Sequence, residues 1–165
     1  MALDVAAAGR LDDVLEPESI LVRLAGLDPH LTEEAYYSER AVFYNPGRSA
    51  PLGVIFAAVK DHDGPNDRRS GLSRPGVFRF AFQLPRHEYD RRFGPAPARP
   101  AKGSAVTFGH DPSVLDELTP HPVYAWMRWV QVLCPSQATF GLLLPLVEES
   151  LLSVKARWAA RAAPR

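Results

Sequence analysis

Two histidines and a carboxylate bracket one short segment of the chain: His110 and Asp111 in the string Phe108-Gly109-His110-Asp111, and His121 in Thr119-Pro120-His121-Pro122. Imidazole titrates nearest neutrality and a carboxylate can fix its tautomer, so His110, Asp111 and His121 have the residue types for acid–base catalysis. A structural reading stands beside this one. His-Asp-Pro is good turn and helix-start chemistry, and a histidine between two prolines can hydrogen-bond a backbone carbonyl to hold a bend. A metal site is not expected, because neither a compact His-x-x-x-His pair nor a cysteine pair is present.

Two arginines stand out from the rest. Arg79 lies in the middle of the strand-like run VFRFAFQL, and Arg128 lies between Trp126 and Trp129. A charge inside a sheet element is costly unless it is paired or faces solvent, so both belong on an open sheet face or in a cleft, where they could hold an anion. The other arginines have a duller explanation. Only three of the 19 Lys+Arg residues are lysine, in a chain also rich in Ala and Pro, which fits a GC-rich genome. Tyr124, Trp126 and Trp129 could stack a flat ligand, with Trp129 and Tyr124 as its wall, or could simply be core. In a regular strand Trp126 and Trp129 fall on opposite sides, so only one can face a cleft. The acidic run Asp61-His62-Asp63-Gly64-Pro65-Asn66-Asp67 fails as a calcium loop: its glycine is misplaced, Pro65 takes a ligand position and no glutamate stands at the twelfth place. Cys134, alone in the chain, reads as packing rather than as a nucleophile.

The elements that must position these residues are legible from period and punctuation. PESILVRLAGL puts Ile20, Leu21, Leu24 and Leu27 at helical spacing after Pro17, and Asp28-Pro29 stops the helix. TEEAYYSERAVFYN predicts a hairpin turning at Ser38-Glu39-Arg40. LGVIFAAV, apolar throughout, predicts a strand covered on both faces. In VFRFAFQL, Phe78, Phe80, Phe82 and Leu84 alternate with Arg79, Ala81 and Gln83, so the phenylalanines must face the core. Between these strands DHDGPNDRRSGLSRPG reads as a long, solvent-exposed loop. PRHEYDRRFG predicts a short helix closed by Gly94, and WMRWVQVL a last strand. Residues 137–162 carry a sustained stripe from Phe140 to Trp158, with Ser136 as N-cap and Pro145 as a kink or a join. The sum is an α+β fold: an antiparallel sheet of about four to five strands, helices packed on one side and a long C-terminal helix. Residues 1–14 read as a flexible extension and 15–165 as a single domain.

Four strings, YYSERAVFYNP, GLSRPGVFRFAF, FGHD and TPHPVYAWMRWVQVLCPS, resemble a family of uncharacterised bacterial proteins known only as a domain of unknown function, over residues 16 to 160. More remotely, the order of elements and the ending resemble the MmcQ/YjbR group, which implies a compact α+β fold and, less generally, DNA binding. The close family supplies no catalytic set to carry over.

Composition bounds the rest. With 165 residues, 46% of them hydrophobic, and 19 basic against 19 acidic side chains, the chain can bury a core without disulfides or a structural metal. Net charge zero removes the electrostatic footprint of a protein that grips nucleic acid over its whole surface. No apolar run approaches the ~18–20 residues that cross a bilayer, and no leader-like N-terminus is present, so a cytoplasmic protein without a membrane partner is expected. No glycine-rich strand-to-helix turn cradles a nucleotide, and no cofactor is expected. The residues point to a monomer or homodimer that binds a small organic or anionic molecule in a cleft beside the sheet. There Arg79 and Arg128 would hold the anion, and His110, Asp111 and His121 would move protons. The alternatives are a nucleic-acid module using Arg68, Arg69, Arg74, Arg91 and Arg92, or an interaction subunit marked by an apolar patch around Trp158.

Overall fold

The computed structural model describes residues 13–102, 104, 106 and 109–164. Residues 1–12 of the expected extension, and Phe108 of the first histidine string, lie outside the described residues. Asp13 to Leu15 run along residues 135–137: Leu15 N donates to the Pro135 carbonyl at 3.0 Å and Gln137 N to the Asp13 carbonyl at 3.0 Å.

Helix α1 (Pro17–Ala25) opens on a proline, which loses nothing in a first turn, and buries Ile20, Leu21 and Leu24. Strands β1 (Leu31–Tyr36) and β2 (Glu39–Tyr44) form the expected hairpin, but it turns at Tyr37 and Ser38 rather than at Ser38-Glu39-Arg40, with Tyr36 opposite Glu39. Strand β3 (Val54–Lys60) lies inside the sheet, between β2 and β4 (Arg79–Gln83). Helix α2 (Arg86–Phe93) closes at Gly94, whose φ of 75° suits glycine. Strands β5 (Thr119–Pro120) and β6 (Trp129–Leu133) complete the sheet, and α3 (Gln137–Ala162) closes the fold, with Ser136 Oγ accepting from Thr139 N as its cap.

All pairings are antiparallel, in the order β1-β2-β3-β4-β6-β5. The sheet therefore has six strands, not four to five. The missing one is β5: two residues ending in a proline are too short to show any period. The last strand is also shorter than WMRWVQVL implied. Trp126 and Met127 sit in a 3-10 turn, and Arg128, at φ 65°, breaks the chain before β6 begins. Pro145 does not split α3. Its ring and Gly141, the residue whose carbonyl loses a partner, both face solvent, which can hydrogen-bond the orphan.

One core cluster joins residues of all three helices to a single face of the sheet, including Phe80, Phe82, Val130 and Val132. Phe80 stacks on Phe82 at 5.3 Å and meets Phe140 of α3 at 5.7 Å. Strand β3 serves both faces by means of a bulge. Val42 pairs with Ala57 but Phe43 with Ile55, so Phe56 is an extra residue and joins Ala57 on the helix face. Ile55 and Ala58 are thereby left on the other face, beside Phe43 and Ala41. Among the described residues no helix is long and apolar enough to cross a membrane.

The long loop departs most from expectation. Most of it is exposed as expected, but Ser70 and Leu72 are buried and Asp67 reaches the second face of the sheet. Its polar residues satisfy one another and the sheet, so turn chemistry gave no sign of burial. Asp63, for example, accepts from Leu72 N at 2.8 Å.

The hairpin turn carries a testable strain. Two-residue hairpins favour turns with positive φ at both positions, and Tyr37 and Ser38 adopt 46° and 63° without glycine's freedom. Ser38→Gly should raise stability by about 1 kcal/mol, read as an increase in the midpoint of thermal unfolding.

Candidate functional site

The second face of the sheet is organised in three cross-strand rows fixed by register. The first is charged: Glu39, Lys60 and Arg79 lie side by side, with Lys60 opposite Arg79. The second is small: Ala41 pairs with Ala58, Ala58 with Ala81, and Ala81 with Gln131. The third is large, holding Phe43 opposite Ile55 and Gln83 opposite Trp129. Three alanines between two tall rows leave a trough, and residues 121–127 roof it.

The roof is built around His121. Pro120 and Pro122 flank it and remove two backbone donors, while His121 N donates to the Trp129 carbonyl at 3.0 Å. Its ring then caps the following turn: Nδ1 accepts from Val123 N at 3.0 Å and Tyr124 N at 3.2 Å. An acceptor Nδ1 means that Nε2 carries the proton, and Nε2 has no hydrogen-bond partner among the described residues. The histidine does hold a bend, but as an acceptor from amides. It is also buried, and burial followed by the nearby Arg79 charge pushes its pKa well below the ordinary value.

Between trough and roof lies a cavity of about 240 Å³, walled by Tyr36, Tyr37, Tyr124, Trp129, Ile55 and Met127, floored by Ala58 and Ala81, and reached by Glu39 and His121. A second hollow of about 320 Å³ adjoins it, sharing Tyr37, Glu39 and Tyr124 and adding Lys60 and Asp67. Burial, reinforced by the Glu39 and Asp67 charges, raises the Tyr124 hydroxyl pKa.

Beneath the partition lies the buried ionic cluster. The Arg79 guanidinium, fully buried, forks onto Asp67, with Nη1 to Oδ1 at 2.9 Å and Nη2 to Oδ2 at 2.6 Å. Lys60 Nζ reaches Asp67 at 3.2 Å, and Glu39 stands further off, 3.4 Å from Arg79 and 3.9 Å from Lys60. Burial alone would raise the Asp67 pKa, but the Arg79 hydrogen bonds and charge overcome it and hold the carboxyl well below the usual carboxylate range. At Glu39 burial outweighs both cations and the pKa is raised.

Of the residues singled out in the sequence, His121, Tyr124 and Trp129 meet at the cavity, with Arg79 in the cluster below it. The others lie apart. His110 is exposed, its ring edge-on to Phe93 of α2 at 5.4 Å. Asp111 is exposed and closes a turn, accepting from Ser113 N at 2.9 Å and Ser113 Oγ at 2.7 Å. Arg128 gives its carbonyl to Leu84 N, and its side-chain charge acts on Arg157 of α3. Trp126 stacks under Arg99 at 4.8 Å. Sequence reasoning missed Glu39, Tyr36, Tyr37 and the alanine row. The hairpin reading put Glu39 in the turn, and only the observed register sets Tyr36 opposite Glu39.

The chain belongs to a family of unknown function, DUF6194, whose model matches residues 15–163. Neither the curated proteins nor the solved structures contain a match to it.

Two measurements follow from this geometry. Asp67→Asn leaves a buried guanidinium without its anion and should cost about 3–5 kcal/mol in chemical denaturation. The depressed His121 pKa means that the unfolded chain takes up a proton before the folded one does. Its contribution to stability is present above pH 6.5 and is lost as pH falls below it, at about 1.4 kcal/mol per pH unit at the steepest. His121→Asn keeps an acceptor for the two amides and removes the titration, so its unfolding free energy should vary less than wild type's between pH 6.5 and about 5.

Proposed function

We propose that this chain binds a small, flat, largely apolar organic molecule in the aromatic cavity beside the sheet. The observation that carries this reading is a half-open hollow of about 240 Å³ lined by four aromatic side chains together with two polar groups, Glu39 and His121. Ligand sites are mostly apolar concavities with a few placed polar groups, and this one has that balance. Its form is also maintained at a cost. Tyr37 holds a left-handed backbone at the mouth of both hollows, where an asparagine or glycine would relieve the turn.

His121 would act through Nε2. With Nδ1 occupied by two amides, the ring can donate one hydrogen bond into the cavity, which suits a carbonyl or ring-nitrogen acceptor on the ligand. Any proton transfer by His121 would use that same atom. Arg79 supports the site from below, since its fork is already filled by Asp67.

The nucleic-acid alternative draws less support from its arginines. Arg74 donates to the Ser70, Gly71 and Ser113 carbonyls, Arg69 to the Val106 carbonyl, and Arg91 and Arg92 to Glu88. Trp158, the mark of an interaction subunit, meets Tyr44 edge-on at 6.1 Å and is half-buried.

The test is occlusion. Ala81→Leu raises the floor of the cavity without touching the helix-side core, so the variant should unfold within about 1–2 kcal/mol of wild type. It should weaken by about tenfold or more whatever a metabolite screen finds bound to wild type, measured by calorimetry. Unchanged affinity in a folded Ala81→Leu variant would remove the cavity as the site.

A further inference from the structure

The sign of the ligand's charge is written in the cavity wall. Among the described residues no lysine or arginine lines the aromatic cavity, and the only carboxylate there is that of Glu39. The cations beneath are committed elsewhere. Asp67 takes both Arg79 nitrogens at 2.6 and 2.9 Å and Lys60 at 3.2 Å, while Glu39 meets them at longer range and only through Oε1. Glu39 Oε2 has no hydrogen-bond partner among the described residues. The Glu39 side chain is 17% exposed and lines both hollows.

Tyr36, Tyr37 and Tyr124 line the same cavity as Glu39, the first two edge-to-face at 4.5 Å. Electron-rich ring faces attract cations, and a carboxylate with a free oxygen completes the preference. An anion would find the reverse. It would meet Glu39 with no positive group in the wall, because His121 is buried and kept neutral by its Arg79 neighbour.

We infer that the ligand is an organic cation, a protonated amine or amidine on a flat apolar body, with the charge against Glu39 Oε2 and the tyrosine faces and the body over the alanine row toward Trp129. This rests on the proposed cavity being the binding site. It narrows the ligand from any small, flat, largely apolar molecule to a positively charged one.

Three probes of matched shape separate the possibilities: phenethylamine as the cation, phenethyl alcohol as the neutral form and phenylacetate as the anion. Titrated calorimetrically into the full chain at neutral pH, the amine should bind about tenfold more tightly than the alcohol, and phenylacetate should bind weakest. In Glu39→Gln, which keeps an acceptor for Arg79, the advantage of the amine should fall severalfold while the alcohol's affinity stays the same. Tyr37→Ala, at an exposed turn, gives a second readout if the first variant does not fold: it should weaken the amine more than the alcohol. Equal binding of amine and alcohol, or preference for phenylacetate, overturns the cation inference and leaves the cavity standing, provided Ala81→Leu abolishes all three. Binding that is indifferent to Ala81→Leu, or no binding of any probe, overturns the cavity reading and the inference with it.

Discussion

The fork between Arg79 and Asp67 is the constraint from which the second face of the sheet is built. A guanidinium in the middle of a buried strand must find a carboxylate, and the strand neighbours on its own row supply only Glu39, at a longer distance. The anion therefore comes from the loop after β3, which has to fold across the sheet to deliver it. Once there, Ser70 Oγ donates to Gln131 Oε1 at 3.0 Å, and Gln131 Nε2 donates to the Pro112 carbonyl at 2.8 Å, so both long connections are stitched to the same strand. The pair also sets the electrostatics above it: it keeps positive charge out of the cavity wall, and Arg79 discourages protonation of His121.

The hollow itself is a matter of side-chain height. Sheets cover their faces with residues of similar size or with helices, and here a row of alanines runs between charged and aromatic rows. Nothing on the sheet can fill the resulting trough. The turn at residues 125–127 closes over it because the His121 ring ties down the two amides that enter the turn, which leaves the aromatic side chains to stand as walls.

Much of this scaffold was legible in the chain. The alternation of Phe78, Phe80 and Phe82 gave the core face of β4, the crowding at 32–45 gave the hairpin, and the stripe from Phe140 onward gave α3. The rule that a mid-strand charge must be paired or face solvent singled out Arg79 but put it on an open face or in a cleft, whereas the guanidinium is fully buried against Asp67. What local pattern does not contain is the identity of a partner 12 residues away in sequence across a loop, so Asp67 passed as one more turn residue. The same limit separates the two histidines. His110 and His121 look alike as sequence, but the first lies exposed against Phe93 while the ring of the second caps the turn that follows it. The alanine row was hidden for a different reason: Ala41, Ala58 and Ala81 lie on three strands, and their adjacency exists only once the register, bulge included, is known. Trp126 misled because a regular strand was assumed through Arg128, whose left-handed backbone ends that assumption.

The bulge at Phe56 has an implication for how this chain can vary in length. It acts as a parity correction. Strand β3 pairs with β2 on both sides of it, through Val54 and Ile55 upstream and Ala57 to Val59 downstream, and with β4 from Ala57 on, so insertion or loss of a single residue between Val54 and Ala58 would turn one half of the strand inside out. Gaps among homologous chains should accordingly avoid this stretch and collect in the connections on either side of β4, where an added residue lengthens a path without exchanging the two surfaces.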